Sequence, residues 1–210
     1  MKLWHIDSSV LGDNSASRKL TAAIVARQAA LNPGLEVEYL DLAANPVGHL
    51  SPAHIGAAFG HPPEDAATLA DIARGQGFID SLFAADIIVI GAPMYNFGLP
   101  TQLKAWADRV LVAGKTFTYG ADGTPISLTP AGKKLYIAST RGGLYGPGSP
   151  AAALEHQESH LKAMLGFIGL TGITIFNADG LAIPDLKAQS IAAAESEIAT
   201  LAPAPAREFA

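Results

Sequence analysis

Strand-like apolar runs alternate along the chain with segments of helical spacing, and the loops between them carry most of the serine, glycine and proline. The first run, residues 2–8, ends at Asp7-Ser8-Ser9; turn residues follow through Asn14, and helical spacing runs from Ser15 to Leu31. Asn32-Pro33-Gly34 stops that helix, and Leu35 to Leu40 alternates as a second strand. Residues 43–62 hold Asn45, Pro46, Gly48, Pro52, Gly56, Gly60 and Pro62, a breaker-rich connection of a length that often covers a site. A helical stretch from about Glu64 to Phe83 leads into Ala85 to Pro93, whose unbroken Ile87-Ile88-Val89-Ile90 predicts a strand buried on both faces at the sheet's centre.

After Met94 to Pro100 the spacing predicts a helix to about Val112, and Asp122-Gly123 between two β-prone runs predicts a hairpin excursion over 116–127. Lys134 to Thr140 reads as the fourth core strand, and the glycine-rich stretch 141–148 precedes a helix to about Ile168. Residues 172–178 are a fifth strand, Pro184 to about Leu201 a last helix, and the tail from Ala202 to Ala210 is expected to fray. Strands alternating with helices imply an α/β, doubly wound parallel sheet with helices on both faces, because parallel neighbours need right-handed crossovers. Ligands in such sheets sit beyond the carboxyl ends of the strands where strand order reverses, so function is expected in the loops after strands 1, 3 and 4.

A chain of 210 residues fits a single domain, here expected over 1–210. Hydrophobic residues make up 49% and charged residues 16%, an apolar balance that leads us to expect a homo-oligomer hiding further surface. A net charge of −5 without a Lys/Arg cluster argues against nucleic acid as a partner. The absence of cysteine excludes disulfides, thiolate nucleophiles, iron–sulfur clusters and Cys-based zinc sites, so any redox chemistry has to be borrowed from a cofactor. No apolar run approaches the roughly 18 residues of a membrane span, and the N-terminus lacks a signal-type apolar region; the expectation is a cytoplasmic protein without a membrane partner.

Three loops could carry chemistry. The first, Ser8 to Ser17, concentrates hydroxyls between a strand and a helix N-terminus, where unpaired N–H groups and the helix dipole favour an anion. It has no lysine and no Gly-x-x-x-x-Gly-Lys-Ser/Thr spacing, which suits a monophosphate better than a metal-bound triphosphate; Ser15 also fits a plain N-cap. The second, Met94-Tyr95-Asn96-Phe97, gathers two aromatic rings, a thioether and an amide at the switch point, where a flat heteroaromatic ring could stack; packing of the rings and a turn role for Asn96 are the alternatives. The third, Thr140-Arg141-Gly142-Gly143, pairs glycines that let backbone amides approach a ligand, or that simply turn the chain.

With Ser9, Ser15-Ala16-Ser17, Ala92 to Phe97 continuing into Thr101-Gln102-Leu103-Lys104, Thr140 to Gly143 and Leu165 to Gly169, the sequence resembles the FMN-dependent NADH-azoreductases of the flavodoxin-like NAD(P)H:quinone oxidoreductase group over nearly its whole length. The Met-Tyr-Asn-Phe stretch is the most specific of these. The resemblance implies a flavodoxin-like fold with FMN bound: Ser9, Ser15, Ala16 and Ser17 on its phosphate, and Met94, Tyr95, Asn96, Phe97, Thr140, Arg141, Gly142 and Gly143 bracketing its isoalloxazine. The family usually has serine where Thr140 stands, which keeps the hydroxyl and changes its hydrogen bond. It further implies a homodimer with the flavin sites at the subunit interface, and ping-pong hydride transfer from NADH or NADPH through FMN to quinones or azo compounds. Phe97, Tyr119, Tyr145 and Met164 are candidate substrate-side residues, with hairpin packing the other reading of Tyr119. No protein acid, base, nucleophile or metal is called for.

Other signals are set aside. Gly114-Lys115-Thr116 has Arg109 where a P-loop needs its first glycine; His156 and His160 lack the His-Glu-x-x-His order; His49, His54 and His61 show no ligand-like order; Ser149 lacks a nucleophile elbow. The rival reading is a one-electron flavodoxin-type FMN carrier, against which the segments 43–62 and 116–127 look built to wall a substrate site. Phosphodiester hydrolysis, a label sometimes given to such relatives, finds no paired metal ligands or activated nucleophile.

Overall fold

The structure is a computed structural model that describes residues 1–61 and 63–203; Pro62 and most of the tail expected to fray lie outside the described residues. Strands β1 (Lys2–Asp7), β2 (Glu36–Asp41), β3 (Ile87–Pro93), β6 (Lys134–Thr140) and β7 (Ile173–Ala178) form a parallel sheet in the order β2-β1-β3-β6-β7, while β4 (Phe117–Tyr119) and β5 (Pro125–Ser127) form a separate antiparallel hairpin. Order reverses between β1 and β3, so the crevice in which such sheets take a ligand is expected beyond the carboxyl ends of that pair. Every residue of β3 is buried, as its unbroken apolar run requires of a central strand.

Helices cover both faces. α1 (Ala16–Leu31) and α6 (Pro184–Ala199) pack Leu20, Ile24, Ala194 and Ile198 against Leu3, Val89 and Phe176 on one side. α3 (Ala66–Ala84), α4 (Thr101–Val110) and α5 (Glu158–Phe167) pack Phe78, Leu82, Trp106 and Leu165 against Trp4, Ile88 and Ile137 on the other. Trp4 and Trp106 meet edge to face at 5.7 Å, a geometry that suits the ring quadrupoles. The architecture is the α/β doubly wound sheet expected from the sequence.

Two elements differ from the sequence reading. The connection 43–62 contains a short helix, α2 (Pro52–Ala58), started by a capping box between Ser51 and His54 with proline in its first turn. The glycine-rich stretch does not run straight into a helix: a 3-10 turn at Ala152–Leu154 comes first. α5 then begins where the Glu155 carboxylate accepts the amides of Gln157 and Glu158 at 2.7 and 2.6 Å, giving the first turn acceptors that the helix itself lacks.

Candidate functional site

The register of the sheet brings the three loops to one level. Asp7 pairs with Gly91 and Asp41, Ala92 with Ser139, and Pro93 with Thr140. Ser8 Oγ donates to the Gly91 carbonyl at 2.6 Å, fastening the end of β1 to β3 at the switch point. Gly91 is needed there, since a Cβ would stand 2.6 Å from Asp7 Oδ1.

In the first loop Ser9, Ser15 and Ser17 are all buried. Ser15 does cap α1, accepting the Arg18 amide at 3.3 Å, and its Oγ also lies 3.0 Å from Ser17 Oγ. The amides of Ala16 and Ser17 belong to the first helical turn, whose N–H groups have no intrahelical acceptor. The N-cap reading of Ser15 holds, and the helix end it builds presents hydroxyls and amides of the kind that suit a dianion.

The second loop is a tight turn in which the amides and carbonyls of Tyr95 and Gly98 exchange bonds of 3.0 and 3.1 Å. Its central residues, Asn96 and Phe97, have φ of 47° and 69°. Left-handed backbone suits asparagine but costs a residue such as phenylalanine roughly 1–2 kcal/mol, a strain that clusters at binding sites. The turn is held from both sides: the Phe97 carbonyl accepts the His156 amide at 3.1 Å, and the Tyr95 hydroxyl lies 3.2 Å from Ser9 Oγ and accepts the Val10 amide at 3.2 Å. Phe97, 43% exposed, meets Tyr145 edge to face at 6.1 Å.

In the third loop the Thr140 carbonyl accepts the Met94 amide at 2.8 Å, and the carbonyls of Arg141, Gly142 and Gly143 accept amides from Leu181, Ala182 and Gly180. Gly142 and Gly143 thus face the loop after β7 with their carbonyls. The Arg141 side chain points into the protein: it is buried, hydrogen-bonds Glu158, reaches Asn177 at 3.3 Å and stands 3.5 Å from Asp179. Burial pushes the Asp179 carboxyl up, an effect Arg141 only partly offsets. Tyr145 joins the crevice through Phe97. Tyr119 is exposed on the hairpin, where it contacts Phe117 at 5.6 Å. Met164 points from α5 into the core, so the fold does not bring it beside these three loops within one chain.

Sequence reading missed Gln157. Fully buried, it donates from Nε2 to the Ala92 carbonyl and accepts from Ser139 Oγ at 3.4 Å, tying the carboxyl ends of β3 and β6 together beneath the loops. Nothing local marks it, because its partners lie far away in sequence. Beside the first loop, the hydrogen bond from Arg18 holds the Asp41 carboxyl below the usual range, while burial and the nearby Asp7 and Asp41 charges push the Tyr39 hydroxyl up to about 12. Tyr39 keeps its proton longer when folded, so the stability it contributes is complete below its ordinary value of 10.0 and is lost as pH rises toward about 12. The tyrosinate absorbance difference between wild type and Tyr39→Phe is expected to rise near pH 12; a rise at the ordinary value would contradict that placement.

A doubly wound sheet with a buried hydroxyl cradle and a strained aromatic turn at its switch point defines a flavodoxin-like protein. The chain belongs to that family: the family described as flavodoxin-like fold matches residues 1–202. Its relatives include proteins named FMN-dependent NADH:quinone oxidoreductase, among them one from Xanthomonas campestris, 52% identical over 96% of this chain and 99% of the relative. Another, from Methylocella silvestris, is 50% identical over 96% of this chain and 98% of its own length. Among solved structures, an azoreductase from Bacillus anthracis superposes with a TM-score of 0.85 at 26% identity, covering 95% of this chain and 97% of that one.

Proposed function

We propose that this chain is a single FMN-binding domain acting as an FMN-dependent NADH:quinone oxidoreductase, with azo compounds as alternative acceptors. The observation that carries the reading is the cradle of Ser9, Ser15 and Ser17 at the N-terminus of α1, set beside the Asn96-Phe97 turn at the point where strand order reverses. Its donors are neutral hydroxyls and helix amides, the set that fits a phosphate monoester without a metal. The names of half-identical relatives agree with it.

Bound FMN would supply two-electron hydride chemistry between NADH or NADPH and the acceptor. The chain's own residues bind, orient and shield. Ser9, Ser15, Ala16 and Ser17 would hold the phosphate; Met94, Tyr95, Asn96 and Phe97 on one side and Thr140 to Gly143 on the other would bracket the ring. Arg141 takes part by fixing its loop through Glu158 and Asp179, with its main chain at the site and its charge turned inward. Phe97 and Tyr145 shape the acceptor side and exclude water. Donor and acceptor share one face in this arrangement, so initial-rate lines at varied NADH and quinone are expected to run parallel; intersecting lines would count against a shared site.

The homodimer expected from the resemblance is part of the proposal. It is supported by a largely apolar groove of about 480 Å³ between α2, α3 and α4, beside which Phe59 is 78% exposed. Apolar surface of that kind marks an interaction site. A partner subunit seated there would bring its own residues near the hairpin carrying Tyr119, whose Phe117 lines the groove. Light scattering showing monomer alone would set the dimer aside. No helix among the described residues is long and apolar enough to cross a membrane.

A further inference from the structure

We propose that Arg18 is a positioning residue for the phosphate loop: it clamps the Ser9 carbonyl to Asp41 on the neighbouring edge strand, and its charge is matched by that carboxylate instead of being offered to the phosphate. The inference rests on the reading of Ser9 to Ser17 as the phosphate cradle.

An arginine one turn into the helix beneath an anion site looks at first like a ligand for the anion. The geometry assigns it elsewhere. A guanidinium has five N–H donors, and here all five are engaged. Nε and Nη2 donate to the Ser9 carbonyl at 3.3 and 2.8 Å. Nη1 donates to the Tyr39 hydroxyl at 2.9 Å and to Asp41 Oδ2 at 2.7 Å, and Nη2 completes a fork on Asp41 Oδ1 at 2.8 Å. With the side chain 16% exposed, no N–H is left over for a phosphate, and the two-pronged Asp41 contact is the strong, planar kind.

The clamp joins four segments. The Arg18 amide is the donor to Ser15 Oγ at the start of α1, and the Asp41 carboxylate also accepts the amides of Ala43 and Ala44 at 2.9 and 3.1 Å, where β2 enters the long connection. In a planar trans peptide the carbonyl and the following N–H point opposite ways. Drawing the Ser9 carbonyl back toward Arg18 therefore aims the Val10 N–H the other way, where it donates to the Tyr95 hydroxyl that also contacts Ser9 Oγ. The same pull keeps the negative end of the Ser9 peptide away from an arriving anion. One side chain thus sets the shape of the cradle and its coupling to the aromatic turn.

The test compares FMN with riboflavin, which lacks the phosphate, by fluorescence titration of flavin-free wild type, Arg18→Gln, Arg18→Lys and Asp41→Asn. Losing charge-assisted bonds that shape the loop is expected to weaken FMN binding roughly tenfold or more in Arg18→Gln and in Asp41→Asn, with a much smaller change for riboflavin. Arg18→Lys keeps the charge but not the fork, and is expected to restore little. Tighter FMN binding by Asp41→Asn, or full restoration by Arg18→Lys, would overturn the clamp and make Arg18 a direct phosphate ligand. Equal losses for both flavins would reduce Arg18 to general scaffolding and overturn it as well. A wild type that does not prefer FMN over riboflavin would instead overturn the phosphate reading, and the clamp with it.

Discussion

Replacing Arg141 by alanine is expected to lower the unfolding free energy by about 3–5 kcal/mol, the usual cost of removing one member of a buried ion pair. The guanidinium is 3% exposed, so the deletion leaves the partly buried Asp179 carboxylate without it and leaves Glu158, 12% exposed, only the Lys162 ammonium at 3.7 Å. The cost should depend on pH in a defined direction. Asp179 is already pushed up by burial, and without the offset that Arg141 supplies it holds its proton still more readily in the folded state than in the unfolded one. The deficit is therefore smallest in acid and grows as pH rises through the ordinary carboxylate range. Urea titrations at acidic and neutral pH check both statements; a loss under about 1 kcal/mol at neutral pH, or one that grows in acid, would show that the pair does not act as described. Because the Arg141 side chain fixes the third loop through Glu158 and Asp179, FMN affinity should fall with it.

The second large effect is expected at Gly91. Its added Cβ would meet Asp7 Oδ1 at 2.6 Å and Thr21 Cγ2 at 3.2 Å, and Asp7 has nowhere to go. The carboxylate is buried and held by the Thr21 hydroxyl at 2.9 Å and the Tyr39 hydroxyl at 3.2 Å. Gly91→Ala forces a choice between moving the central strand and breaking those bonds. Overpacking of this kind costs about 1–3 kcal/mol, and a buried carboxylate robbed of a donor adds about as much again. The change also displaces the carbonyl that Ser8 holds, so the variant should lose flavin affinity as well as stability. Thermal unfolding with and without FMN measures the two together; a stable, tightly binding Gly91→Ala protein would mean that the switch point tolerates what its geometry forbids.

Much of this was legible in the residues, for physical reasons. Ile87 to Ile90 can only be a strand covered on both faces, and that fixes the centre of the sheet. Ser15 announced the helix start that the structure shows, and the same unpaired amides that make it a cap are what make that helix end a candidate anion site. What stayed hidden was non-local. Gln157 bridges Ala92 and Ser139, and no spacing rule reports a contact between residues so far apart in sequence. Arg141 reads as a site residue from its motif, yet only the placement of Glu158 and Asp179 turns its side chain inward. The left-handed Phe97 runs against local preference, and it persists because the loops after β1 and β6 hold the turn. The helix α2 did carry a signal, Ser51 before Pro52, which the surrounding glycines and prolines outweighed.

The central claim, that this chain binds FMN and turns it over between a nicotinamide and a quinone, is tested most directly by one anaerobic absorbance experiment. Purified protein is loaded with FMN, then given NADH, then a quinone. The account predicts bound flavin absorbance that bleaches with NADH and returns with the quinone in a two-electron stoichiometry. Protein that fails to bind FMN would remove the foundation of the account, and bound FMN that neither NADH nor NADPH bleaches would contradict it in favour of an electron carrier.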